Sequence, residues 1–211
     1  SYGNTTIHEE KESRNHTENI LLKNSKIINI NKDERKKNVI NILGKGTLNP
    51  ITISVPGDPS SAAFLTALTL LNKNSSIIIK NVGLNPRRTG FYQLLKKCGA
   101  KINFKNIKKN NNEVIGDIYV KSSRLKPIKA SSSFYVSATD EYPIMFVIAA
   151  LTSGVSSFKG ISELANKESN RITEMKKILD QIGIKSKIKK NEMKIYGKRN
   201  INNFNKKILV P

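Results

Sequence analysis

The chain has 211 residues, 37% of them hydrophobic, enough to bury a core the size of one large domain or two small ones. Lys and Arg number 37 against 16 Asp and Glu, a formal net charge of +21. A single cysteine, Cys98, excludes an internal disulfide and any multi-cysteine metal site and fits a reducing compartment. No apolar run approaches the roughly 20 residues that span a bilayer, so no membrane partner is expected.

An excess of positive charge suits nucleic acid, a membrane surface or small anionic substrates, and by itself selects none of them. The basic residues are spread along the chain among Asn and Ile, as over 105–112, which reads as a solvated, lysine-rich surface. Aromatic residues make up 6%, tryptophan is absent, and no stacking or basic-helix motif argues for nucleic acid. His8 and His16 show no metal-ligand spacing, so no metal is expected. The chain opens at Ser1 without a basic-then-apolar signal pattern, and residues 208–211 read as a strand entering a turn; both ends are expected to be cut.

In chain order, residues 13–22 (SRNHTENILL) place an Arg and a Thr before a short helix. Residues 60–71 predict a helix apolar on nearly all sides, hence buried, with Asp58 or Ser60 as its cap. Residues 77–79 predict a short buried strand. Asn85 and Pro86 then turn the chain into a helix over 89–98, closed by Gly99, with Leu94 and Leu95 arguing that Cys98 is buried. Strands are predicted near 102–104 and 117–121, an apolar helix over 142–151 and a strand over 156–159. The last helix, 169–182, ends at Gly183. Its apolar stripe of Ile172, Met175, Ile178, Leu179 and Ile182 should cover a sheet and leave Lys176, Lys177 and Asp180 outside.

The order helix, strand, helix thus occurs twice, the first time followed by two strands, with a partial third copy at the start, so the repeat unit reads helix, strand, helix, strand, strand. Units of this size stack on copies of themselves, which predicts an α/β fold with buried helices surrounded by sheets.

Four motifs follow the opening SRNHTE: GDPSSAAF (57–64), NPRRTG (85–90), TDEYP (139–143) and KESNR (167–171). Each alone is weak; five in this order and spacing resemble the 5-enolpyruvylshikimate-3-phosphate synthases, over essentially the whole chain. Asn15 and Asn170 stand where that family usually carries Asp. The resemblance implies the enolpyruvyl transferase fold, an inside-out α/β barrel of repeated βαβαββ units, here incomplete. It places the crossover between two domains near 54–57, so that 1–54 is the tail of one domain and 55–211 most of the other.

It also implies transfer of an enolpyruvyl group from phosphoenolpyruvate to the 5-hydroxyl of 3-phosphoshikimate, without a cofactor, in a protein that is cytoplasmic and monomeric at full length. Several family substrate residues precede or follow this stretch, so the 211 residues alone are expected to be inactive.

Asp140 precedes an apolar helix and by itself reads as a cap. The resemblance implies instead that Asp140 binds 3-phosphoshikimate and accepts the proton of its 5-hydroxyl. Glu168 and Arg171, three residues apart, form by themselves an ordinary surface pair. The resemblance implies that Lys167 contacts 3-phosphoshikimate near the reacting hydroxyl, Glu168 exchanges the proton at the methylene carbon, and Arg171 binds phosphoenolpyruvate. Arg14 reads either as a surface residue or, by the same resemblance, as a contact of 3-phosphoshikimate. Arg87 and Arg88 are assigned a structural role. Two rival readings are a UDP-N-acetylglucosamine enolpyruvyl transferase and a basic nucleic-acid-binding module.

Overall fold

The structure, a computed structural model, describes residues 2–199 and Ile208. The strand expected over 208–211 lies outside the described residues, apart from Ile208. Three successive stretches share one plan. The first runs β1 (Thr5–His8), α1 (His16–Asn24), β2 (Ile28–Lys32) and β3 (Asn38–Ile42), with β3 central in an antiparallel sheet ordered β1-β3-β2. Residues 43–56 then form neither helix nor strand.

The second stretch opens with α2 (Pro59–Leu71) and continues through β4 (Ser76–Gly83), α3 (Gly90–Lys97), β5 (Lys101–Asn110) and β6 (Glu113–Lys121), in the order β4-β6-β5. The third contains β7 (Lys129–Ala130), α4 (Tyr135–Ala138), α5 (Tyr142–Ala150), β8 (Gly154–Lys159), α6 (Arg171–Gln181), β9 (Ser186–Lys189) and β10 (Glu192–Gly197), in the order β7-β8-β10-β9. In each sheet the last strand in sequence lies between the two that flank the second helix. β7 pairs parallel with β8, and a parallel bridge from Gly57 to Val82 occupies the same place beside β4. The partial opening copy is therefore the βαββ half of a unit, and two fuller units follow.

One core joins the second and third units. Phe91, Tyr92, Leu94 and Leu95 of α3 meet Ile118 and Val120 of β6, while Tyr142, Met145, Phe146 and Ile148 of α5 pack with Phe158 of β8. The Phe146 and Phe158 rings meet edge to face, 4.9 Å between centroids. Full burial of side chains of this size stabilises by about 1.5–3 kcal/mol each. Cys98 is buried there, as expected, and Gly99 (φ +93°) and Gly183 (φ +69°) end their helices in the left-handed region that a side chain disfavours.

Some expectations need correction. α2 buries Ala62, Ala63, Thr66, Ala67 and Leu70 but leaves Phe64, Leu65 and Leu68 exposed. Its neighbours among the described residues, β4, β6 and α5, cover only one side, so an all-round apolar sequence does not produce all-round burial here. β4 is longer than predicted and alternates, with Ile77 and Ile79 half-buried and Ile78 exposed, because one face of its sheet is open. The helix expected over 89–98 is α3 with its two caps, Thr89 and Cys98; ahead of it the turn at Asn85 and Pro86 forms a 3-10 turn, Pro86–Arg88, whose first residue the proline ring preorganises.

Candidate active site

Each unit reaches its second helix through a short polar segment capped or led by asparagine, and these segments hold the candidate residues. Asn15 precedes α1. The Asn85 side chain accepts the Arg87 N–H at 2.9 Å, and that of Asn170 accepts the Thr173 N–H at 3.1 Å at the start of α6. Asparagine is a good helix cap, which explains how Asn170 is tolerated where an Asp is usual: the cap survives the lost charge.

Asp140 lies within a 3-10 turn, Thr139–Glu141, ahead of α5, and its side chain caps no helix. The cap reading is thereby overturned. Its carboxylate instead takes Arg14, 126 residues away in sequence, as a hydrogen-bonded ion pair, and lies 3.8 Å from the Arg171 guanidinium. Burial alone would raise the Asp140 carboxyl. The Arg14 guanidinium, backed by Arg88 and Arg171, outweighs burial and holds it below the usual carboxylate range.

Arg171 also donates to Glu168 at 2.9 Å, which the three-residue spacing anticipates. The Glu168 side chain is 84% exposed; its own backbone N–H and the Arg171 guanidinium lower its pKa. Lys167 closes the preceding 3-10 turn, is exposed, and makes no ion pair among the described residues. The structure thus gathers Arg14, Asp140, Arg171 and Glu168 into one chain of charge contacts, with Lys167 at its edge.

Behind this cluster runs a second network, which joins the expected Asp58 cap to Arg88, Ser60 and Glu141. Asp58 caps α2 by accepting the Ser61 N–H at 2.9 Å, and it also takes Arg88 at 3.0 Å. Arg88 donates to the Ser60 hydroxyl at 2.9 Å, and Ser60 donates to Glu141. Burial raises the Glu141 carboxyl despite the Ser60 hydrogen bond and the charge of Arg88. GDPSS, NPRRTG and DEYP therefore meet through their side chains, and the structural role expected of Arg88 is met by its ties to Asp58 and Ser60. The one sequence signal for Glu141 is its place between Asp140 and the first apolar residues of α5.

A cavity of about 380 Å³ opens beside α1, lined by Ile20, Val55, Pro56, Pro59 and Ile115 with His16 and Glu113 at its polar side. It lies against residues 53–59 and borders Asn85 and Arg88, while none of Arg14, Asp140, Lys167, Glu168 and Arg171 lines it. Among the described residues no group of His, Cys, Asp or Glu is arranged to hold a metal ion, and no helix is long and apolar enough to cross a membrane.

Comparison with known proteins gives the family. Residues 1–206 match the family model for EPSP synthase (3-phosphoshikimate 1-carboxyvinyltransferase). The 3-phosphoshikimate 1-carboxyvinyltransferase of Zymomonas mobilis is 38% identical over 195 residues, 92% of this chain and 43% of that protein. That of Bacillus subtilis is 35% identical over 199 residues, 94% of this chain and 45% of its own length. The chain thus spans less than half the length of these relatives. Among solved structures, EPSP synthase from Acinetobacter baumannii superposes with a TM-score of 0.84 at 33% identity, covering 95% of this chain and 44% of that one. The enolpyruvyl transferase NikO of Streptomyces tendae shares the fold at 13% identity and a TM-score of 0.60. With the match extending over residues 1–206 and the fold in agreement, the chain belongs to the EPSP synthase (3-phosphoshikimate 1-carboxyvinyltransferase) family.

Proposed function

We propose that the protein containing this chain transfers the enolpyruvyl group of phosphoenolpyruvate to the 5-hydroxyl of 3-phosphoshikimate, releasing phosphate. The observation that carries this reading is the convergence of Arg14 from the first unit with Asp140, Glu168 and Arg171 from the third onto one cluster. Both substrates are polyanions, and two guanidinium forks beside two carboxylates supply the binding charge and the proton carriers that the reaction needs.

Arg14 takes the phosphate of 3-phosphoshikimate and Arg171 the anionic groups of phosphoenolpyruvate. When Arg14 exchanges Asp140 for the substrate phosphate, Asp140 loses the counter-ion that depresses its pKa. It then becomes the stronger base and accepts the proton of the 5-hydroxyl, whose oxygen attacks C2. A protonated Glu168 delivers its proton to C3, and the resulting tetrahedral intermediate collapses as Glu168 takes a C3 proton back and phosphate leaves. Lys167 holds the reacting oxygen.

Glu168 is exposed and paired with Arg171, which favours its ionised form. Loading it with a proton for the addition step requires water to be excluded when substrates are enclosed, since desolvation raises a carboxyl. The same reading has the chain pass between two domains near 54–57, with 1–54 in one and 55–211 in the other. It treats the full-length protein as a cytoplasmic monomer acting on small molecules, without nucleic acid, membrane or cofactor.

The test is phosphate release by the complete reading frame. The expected result is release that requires both phosphoenolpyruvate and 3-phosphoshikimate and is not supported by UDP-N-acetylglucosamine as acceptor. Release with UDP-N-acetylglucosamine alone, or none from a folded protein, would overturn it.

A further inference from the structure

We infer that Glu113 is a positioning residue that sets Arg14 in place for the substrate phosphate, an inference that rests on the function proposed above. Glu113 opens β6 directly after a hairpin turn in which Asn111 and Asn112 both have positive φ, 48° and 60°. Its side chain is largely buried and collects three donors. His16 Nδ1 lies 3.0 Å from Oε2, Asn85 Nδ2 donates to Oε2 at 3.2 Å, and Asn19 Nδ2 donates to Oε1 at 2.9 Å.

The donors identify the target. His16 and Asn19 lie in the first turn of α1, Asn15 is the residue just before that helix, and Arg14 precedes Asn15. Asn85 reinforces the same link, because its Nδ2 also donates to Asn15 Oδ1 at 2.9 Å. On the other side of Arg14, the Ser13 carbonyl accepts from Arg87 Nη1 at 2.6 Å. The backbone at Arg14 is therefore gripped on both sides by the second unit, while its side chain reaches Asp140 in the third.

Without the Glu113 carboxylate, the start of α1 keeps the neutral contacts from Asn85 to Asn15 at 2.9 Å and from Asn112 to the Asn19 carbonyl at 3.2 Å, while three donors in a half-buried place lose their charged acceptor. A guanidinium fork is directional, so a displacement of about 1 Å at its base is enough to lose a bidentate phosphate contact. Glu113 touches neither substrate in this scheme; it acts through Arg14.

The experiment is calorimetric titration of the complete reading frame with 3-phosphoshikimate alone, together with thermal denaturation. Glu113→Ala is expected to weaken binding about tenfold or more, and Glu113→Gln, which keeps one carbonyl acceptor, to recover part of the loss. In an Arg14→Ala background, Glu113→Ala should cause no further loss, an outcome that general destabilisation does not produce. Binding by Glu113→Ala within about twofold of wild type, or an equal further loss in the Arg14→Ala background, overturns the inference. Should Glu113→Ala not fold, the Glu113→Gln and Arg14→Ala pair carries the same comparison. Failure of the wild-type protein to bind 3-phosphoshikimate overturns the substrate assignment, and the inference falls with it.

Discussion

Asp140→Asn preserves size and removes the one charge shared by Arg14 and Arg171, so its effects on folding and on chemistry separate. The Arg14 and Asp140 side chains are 41% and 34% exposed, and Arg171 is 3.8 Å away. Pairs this wet contribute about 0.2–1 kcal/mol each. Losing both therefore costs roughly 0.5–2 kcal/mol, a fall of about 1–8 °C in Tm for a folding unit of 150–250 residues. Loss of a general base, by contrast, lowers turnover about 10²- to 10⁴-fold. Phosphate release and thermal denaturation on the same preparation of the complete reading frame measure both quantities. A kcat within about tenfold of wild type, with the small shift in Tm, would return Asp140 to the role of counter-ion and refute the proposed base.

Other consequences are equally direct. Glu141 is buried with a raised pKa, so ionising it opposes folding; that penalty is absent below the unfolded carboxyl's pKa and complete above the folded one. Glu141→Gln should therefore raise Tm at neutral pH and change it little near pH 4, as denaturation across pH will show. Asp58 runs the opposite way: burial would raise it, but the Ser61 and Ser60 N–H groups and Arg88 lower it, so its contribution is present at neutral pH and lost as pH falls through its depressed pKa. Asp58→Ala, which removes both the α2 cap and the Arg88 partner, should cost about 1–2 kcal/mol in chemical denaturation at pH 7. Among the described residues the buried Tyr142 hydroxyl has no hydrogen-bond partner, so Tyr142→Phe should leave stability unchanged or raise it by about 1 kcal/mol. A loss above that size would reveal a partner for the hydroxyl.

Much of the fold follows from local pattern. The apolar stripe of Ile172, Met175 and Leu179 lies on the inner face of α6, Gly99 and Gly183 close their helices, and the repeated order of helices and strands gives the repeated sheets. These features depend on periodicity and backbone preference within about a dozen residues, which a single sequence carries. The motifs also singled out the segments that hold Asp140, Lys167, Glu168 and Arg171, and the Glu168–Arg171 pair follows from spacing alone.

Partnership over distance is different. Arg14 and Asp140 stand 126 residues apart, and nothing in either segment names the other; stacking of the units brings them together. Glu113 appears in sequence as one more charge in a polar hairpin, and only the seating of α1 against β6 turns it into the acceptor for His16, Asn19 and Asn85. Likewise Phe64, Leu65 and Leu68 share the apolar character of buried Ala63 and Leu70, and differ from them only in facing the side of α2 that no described neighbour covers. The sequence by itself determined which elements form and which residue types lie at each helix start. The tertiary structure decided which of those residues meet and which apolar faces are covered, because contact and burial depend on how units stack, and local periodicity carries no record of that.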